Sequence, residues 1–135
     1  MKKENFSHIE LGALTNTKDM ENNGIKGKFF LKEQLGLTGC EVSINTIPAG
    51  GAIPFLHSHK ENEETYVFLQ GNGIFYIDGQ ELAVKEGSML NIRPDGVRGL
   101  KAGSEDLLYM CVQAKENSLS QATRDDGILA QEEWS

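Results

Sequence analysis

Turn-forming residues recur along this chain at an interval too short for ordinary helices. Pro48-Ala49-Gly50-Gly51, Gly71-Asn72-Gly73, Asp78-Gly79, Glu86-Gly87 and Pro94-Asp95-Gly96 each close an apolar stretch. Glycine makes up 15 of the 135 residues, above the usual fraction of about 7%, and the surplus sits in these turns. The pieces between them read as strands. Glu41 to Ile47 alternates with period two, Thr65 to Leu69 is aromatic and β-branched, and Ile74 to Ile77 and Glu81 to Val84 flank Asp78-Gly79, a two-residue hairpin signal. Phe29 to Leu31, Ser88 to Ile92, Val97 to Lys101 and Leu107 to Gln113 complete the series. The spacing predicts about eight to ten short strands with no long helix, an all-β sandwich or barrel.

The length suits one domain, with an N-terminal extension over 1–27, the strand-rich body over 28–114 and a polar tail or edge strand over 115–135. Asn16 to Gly27 reads as a surface loop. Ile128-Leu129 is expected to form an edge strand or a dimer contact, and Trp134 to act as a loose anchor. A net charge of −7 lacks the positive footprint that nucleic acid or an anionic membrane surface demands. The longest apolar run, Leu107 to Val112, is six residues against the roughly 20 of a membrane span. The N-terminus has two lysines but no apolar segment behind them, so a cytoplasmic location is expected. Cys40 and Cys111 form no CxxC pair and suit a reducing compartment.

The histidines are His8, His57 and His59. On an extended chain the rings of His57 and His59 project to one side. Glu64 follows across the charged stretch Lys60 to Glu63, read as a solvated turn. Two imidazoles and a carboxylate on neighbouring strands hold one divalent cation by adjacent positions and leave others open to water or substrate. The donors suit Fe, Mn, Ni, Co or Zn. Glu63 replaces Glu64 if the turn is one residue shorter. By strand alternation, Tyr66 and Phe68 face inward with Glu64, and Phe55 with His57. Either Tyr109 and Cys111 or Leu108, Met110 and Val112 complete the interior.

The segment Gly51, His57, His59, Glu64, Gly71 resembles the first motif of the cupin superfamily, G(X)5HXH(X)3,4E(X)6G, at every fixed position. That resemblance implies a small antiparallel jelly-roll β-barrel, an internal metal on His57, His59 and Glu64, and often a homodimer. The second motif, G(X)5PXG(X)2H(X)3N, matches in part. Gly87 begins it, Pro94-Asp95-Gly96 stands one residue late, and the positions of the family's fourth ligand and asparagine fall on Gly99 and Gly103. The site is therefore expected to have three protein ligands. Gly99 is expected to face inward and leave space for the missing ring. Arg98 then lies on the outer face, unless the extra residue before Pro94 reverses the parity and sends it into the pocket to grip a substrate carboxylate. Cys111 is a candidate pocket thiol.

The resemblance implies a metal-dependent protein acting on a small polar metabolite, a dioxygenase or isomerase among the options, with Tyr66 as a weak acid candidate and Phe55, Tyr66, Phe68, Arg98 and Cys111 as candidate pocket residues. The alternative is a non-catalytic sugar- or organic-acid-binding module.

Overall fold

The computed structural model describes residues 4–121 and 123–134. Its strands are β1 (Lys28–Phe30), β2 (Glu41–Ile47), β3 (Asn62–Gln70), β4 (Asn72–Ile77), β5 (Gln80–Lys85), β6 (Met89–Ile92), β7 (Arg98–Ala102) and β8 (Leu107–Lys115). They form a five-stranded sheet in the order β1-β2-β8-β3-β6 and a three-stranded sheet in the order β5-β4-β7. Every ladder is antiparallel, and the fold is an all-β jelly roll. The helical elements are a 3-10 turn (Leu14–Asp19) and the single turns α1 (Lys32–Leu35) and α2 (Thr123–Asp126). No helix among the described residues is long and apolar enough to cross a membrane.

Local chemistry explains the corners. Asp78 and Gly79 both take positive φ, 46° and 86°, as a two-residue hairpin requires for its twist to match its strands. Gly71 carries the chain from β3 in one sheet to β4 in the other. Its φ is +92°, and a Cβ there would collide with the Asp106 carbonyl oxygen, so glycine is required on both counts.

The inner faces of the two sheets share one apolar core. Phe68 and Leu107 from the larger sheet meet Phe75, Val84, Leu100 and Ala102 from the smaller one. Tyr66 packs edge-on to Phe75 with centroids 4.8 Å apart. The open parity of β8 is settled: Leu107, Tyr109 and Cys111 face inward, and Tyr109 and Cys111 are cross-strand partners of Phe68 and Tyr66.

Two expectations need correction. The charged run before Glu64 is not all turn, because β3 begins at Asn62 and its first residues pair with Lys115 and Ala114. Cross-strand hydrogen bonds override the polar composition there. In the C-terminal segment, Asp125-Asp126-Gly127 does not lead into a strand. The Gly127 N–H instead bonds the Thr123 carbonyl and closes one helical turn. Ile128, Leu129 and Trp134 are 94%, 98% and 103% exposed, so Trp134 anchors nothing among the described residues.

The N-terminal segment is bound to the body more firmly than a surface loop. Thr17 is buried, with its hydroxyl 2.9 Å from that of Thr46. Asn22 lies along the free edge of β1: its amide donates to the Phe30 carbonyl (2.7 Å) and its oxygen accepts from the Phe30 N–H (2.9 Å). The side chain thus mimics a neighbouring strand and occupies an edge that would otherwise be open to pairing.

Candidate metal centre

His57 and His59 lie in the extended link between β2 and β3. The link is pinned to β7 and the turn before it: His57 and Arg98 exchange backbone hydrogen bonds of 3.0 and 2.9 Å, and the His59 N–H donates to the Pro94 carbonyl at 2.9 Å. The rings project to one side, with centroids 5.2 Å apart. Glu64 reaches the same point from β3.

One ligand atom from each of His57, His59 and Glu64 lies within 4.8 Å of the others. Glu64 Oε1 stands 3.6 Å from His57 Nε2 and 3.4 Å from His59 Nε2. Two donors about 2.1 Å from one ion at a tetrahedral angle stand about 3.4 Å apart, so these separations fit a shared cation. His59 Nε2, which faces the carboxylate, is shielded from solvent and has no hydrogen-bond partner. Buried polar atoms are seldom left so, and an unpartnered imidazole nitrogen beside a carboxylate is what an ion would satisfy.

Charge prepares the donors. Burial alone would raise the Glu64 carboxyl. Contacts from His57, Arg98 and Tyr66 overcome it and hold the group well below the usual carboxylate range. Burial lowers the His59 imidazole despite the opposing charge of Glu64. Both therefore stand in the deprotonated form that binds metal.

Arg98 departs most from expectation. It is 1% exposed, and it faces inward with Leu100 and Ala102 rather than outward. Its Nη1 donates to Glu64 Oε1 at 2.8 Å, its Nη2 to the carbonyls of Arg93 (2.6 Å) and Pro94 (3.3 Å), and its Nε to that of Gly96 (2.9 Å). These bonds tie Arg98 to the turn before β7, where the sequence has its extra residue. The guanidinium is committed to Glu64 and that turn, which leaves little to grip a substrate carboxylate. The space expected at Gly99 is taken by Leu56, whose Cδ2 a Cβ there would meet.

The other candidates fall into distinct places. The Tyr66 hydroxyl donates to Glu64 Oε1 at 2.9 Å, and the Cys111 thiol to Oε2 at 3.4 Å. Burial raises both groups, with the negative charge of Glu64 adding to it. Glu63 turns away and accepts from Asn91 at 3.0 Å. Phe55 is 55% exposed and meets the His57 ring edge-on at 5.9 Å, at the cavity mouth. Phe68 is 1% exposed and lies in the core rather than on the cavity wall.

A cavity of about 190 Å³ opens in front of these groups. Ile25, Phe30, Ile53 and Leu100 supply apolar wall, and Lys28 and Ser43 supply polar wall. Sequence reasoning missed Lys28. A lysine opening a short apolar strand reads as a solvated edge charge, and its only inward signal is the two-residue spacing from Phe30.

These features define a class: a small jelly-roll protein with a His-His-carboxylate cluster at the end of an internal cavity. The cupin domain family profile matches residues 43–113, and the chain belongs to that family. A cupin protein from Bacteroides fragilis is 37% identical with a TM-score of 0.82, the match covering 95% of this chain and 99% of that one. A Klebsiella pneumoniae protein with a double-stranded β-helix domain matches at 18% identity and TM-score 0.64, over 82% of this chain and 94% of that one. A predicted oxalate decarboxylase from Thermotoga maritima matches at 24% identity and TM-score 0.52, over 55% of this chain and 64% of that one. The last two show the fold alone. No curated protein matches the sequence.

Proposed function

We propose that this cupin holds one divalent transition metal on His57, His59 and Glu64 and acts there on a small polar metabolite. The observation that carries the reading is the convergence of His57 Nε2 and His59 Nε2 on one oxygen of an ionised carboxylate, with the His59 nitrogen shielded and unpartnered. When bound, such an ion supplies Lewis-acid polarisation of a ligand oxygen. The chain's own residues set the conditions. Arg98 and Tyr66 hold Glu64 as an anion aimed at the imidazoles. Tyr66 keeps its proton and serves as a donor rather than a base.

A second reading, a ligand-binding module without turnover, is favoured by one observation: Tyr66 and Cys111, the ionisable groups nearest Glu64 apart from the ligands and Arg98, are both held protonated.

Elemental analysis of untagged protein purified without chelator tests the main reading, with wild type beside the His57→Ala/His59→Ala double variant. The expected result is close to one transition-metal ion per wild-type chain and none in the variant. Wild type that stays metal-free after reconstitution overturns it. Metal-loaded wild type that binds ligands saturably and converts none selects the second reading.

A further inference from the structure

Lys28 stands in the cavity wall without an anionic partner. Its ammonium donates to Asn45 Oδ1 at 3.1 Å and to the Tyr109 hydroxyl at 3.3 Å, and lies 5.6 Å from the Tyr109 ring centroid. All of these partners are neutral, and an ammonium has three donors. Among the described residues no carboxylate forms an ion pair with Lys28. Of the other charged groups on the cavity wall, Glu64 is paired with Arg98 at 2.8 Å, and Glu41 accepts from the Lys32 backbone N–H at 2.8 Å.

Register places Lys28 relative to the metal ligands. Lys28, Asn45, Tyr109 and Phe68 form one cross-strand row of the larger sheet. Phe30, Ser43, Cys111 and Tyr66 form the next inward-facing row, and Glu64 belongs to the one beyond. Successive inward rows are two residues apart, roughly 6–7 Å. The backbone positions of Lys28 and Glu64 are thus two such steps apart along the sheet, about 13 Å, and their side chains line one cavity. The space between is largely apolar, and at about 190 Å³ it is smaller than the roughly 300–1,000 Å³ of common ligand pockets.

We propose that Lys28 anchors the carboxylate end of a small organic acid whose apolar body fills the cavity and whose other end reaches His57, His59 and Glu64. The placement of the far end rests on the metal-site reading above; the anion anchor stands without it. A half-buried cation gains much from a charge-assisted hydrogen bond, so the cavity discriminates between an acid and its neutral isostere.

The test uses benzoate and benzamide as probes on chelator-treated protein at pH 8, where no metal competes for the carboxylate. Calorimetric titration of wild type is expected to show benzoate binding at least tenfold more tightly than benzamide, and Lys28→Gln is expected to abolish the difference. In a second readout that needs no variant, benzoate and not benzamide slows reductive methylation of Lys28 in wild type by fivefold or more, read by peptide mass spectrometry. Equal affinity for the two probes, a preference that survives Lys28→Gln, or absence of protection overturns the proposal. Metal content of wild type and Lys28→Gln is measured in parallel. Metal bound with no acid preference defeats the anchor alone. An acid preference in protein that cannot be loaded with metal defeats the metal-site reading alone.

Discussion

Arg98→Met removes the guanidinium that lies 2.8 Å from Glu64 Oε1 and keeps an apolar stem of similar reach. Arg98 and Glu64 are 1% and 5% exposed, so water cannot replace the lost partner. Taking one member from a buried ion pair costs about 3–5 kcal/mol, most of it from the charge left behind. The Arg98 bonds to the carbonyls of Arg93, Pro94 and Gly96 go as well, which loosens the turn that holds His59. For a domain of this size, about 3–5 °C of Tm accompanies each kcal/mol, so metal-free Arg98→Met is expected to melt about 10–20 °C below wild type. The cost should depend on the charge of Glu64. In a Glu64→Gln background the same substitution is expected to cost less by about 1.5 kcal/mol or more, a coupling that a double-mutant cycle reads directly. Acid adds a sign. Glu64 titrates below its ordinary value in the fold, so the pair's stabilisation is full above about pH 4.5 and is lost as pH falls below that. The variant's acid-unfolding midpoint therefore moves up. Urea titrations of the four proteins supply every quantity. A single-variant loss under about 1 kcal/mol, or an equal loss in both backgrounds, would refute the view that Arg98 serves chiefly as the counter-charge of Glu64.

Gly71→Ala is expected to cost about 3 kcal/mol or more and to lower soluble yield, since it combines positive φ with a backbone collision; urea unfolding measures it, and a loss under about 1 kcal/mol contradicts the role given to that corner. Iodoacetamide at pH 8 should label Cys40 in native protein and spare Cys111, which is buried and held protonated; mass spectrometry before and after denaturation reads this, and native labelling of Cys111 contradicts it. Lys28 is lowered, chiefly by burial, from 10.5, so the unfolded chain binds more protons between that lowered value and 10.5. Wild-type stability relative to Lys28→Gln is thus expected to rise as pH climbs through that window, and urea titrations from pH 8 to 10.5 showing a flat or falling difference would contradict the burial of the ammonium.

The parts of the site that local spacing decides were legible in the sequence. His57 and His59 are two residues apart on extended chain, and alternation along β3 places Glu64 and Tyr66 on one face whatever the rest of the chain does. The resemblance carried by Gly51, His57, His59, Glu64 and Gly71 pointed to the fold for the same reason, since Gly71 is fixed by a backbone conformation. What depends on register was not legible. A shift of one residue sends every side chain of a strand to the other face, and the extra residue before Pro94 left both parities of Arg98 open. Lys28 was hidden differently: its inward orientation is set by pairing with Asn45, 17 residues away, in a strand too short to show alternation. In the tail, a turn signal before two apolar residues suited a strand and a helical turn equally.

The Asn22 clasp on β1 carries a consequence for how this protein can diversify. Residues 43–113 hold His57, His59 and Glu64 and match the shared family pattern, whereas Ile25, just before β1, and Lys28 and Phe30 of β1 reach the cavity from outside that span. That strand is pinned along its outer edge by Asn22 and a bridge from Glu21 to Lys28, and laddered along its inner edge to β2. The candidate metal ligands and this part of the cavity wall thus belong to separable stretches of polypeptide. Exchanging residues 21–31 as a cassette, with Asn22 kept, would recast what the cavity accepts while leaving His57, His59 and Glu64 in place.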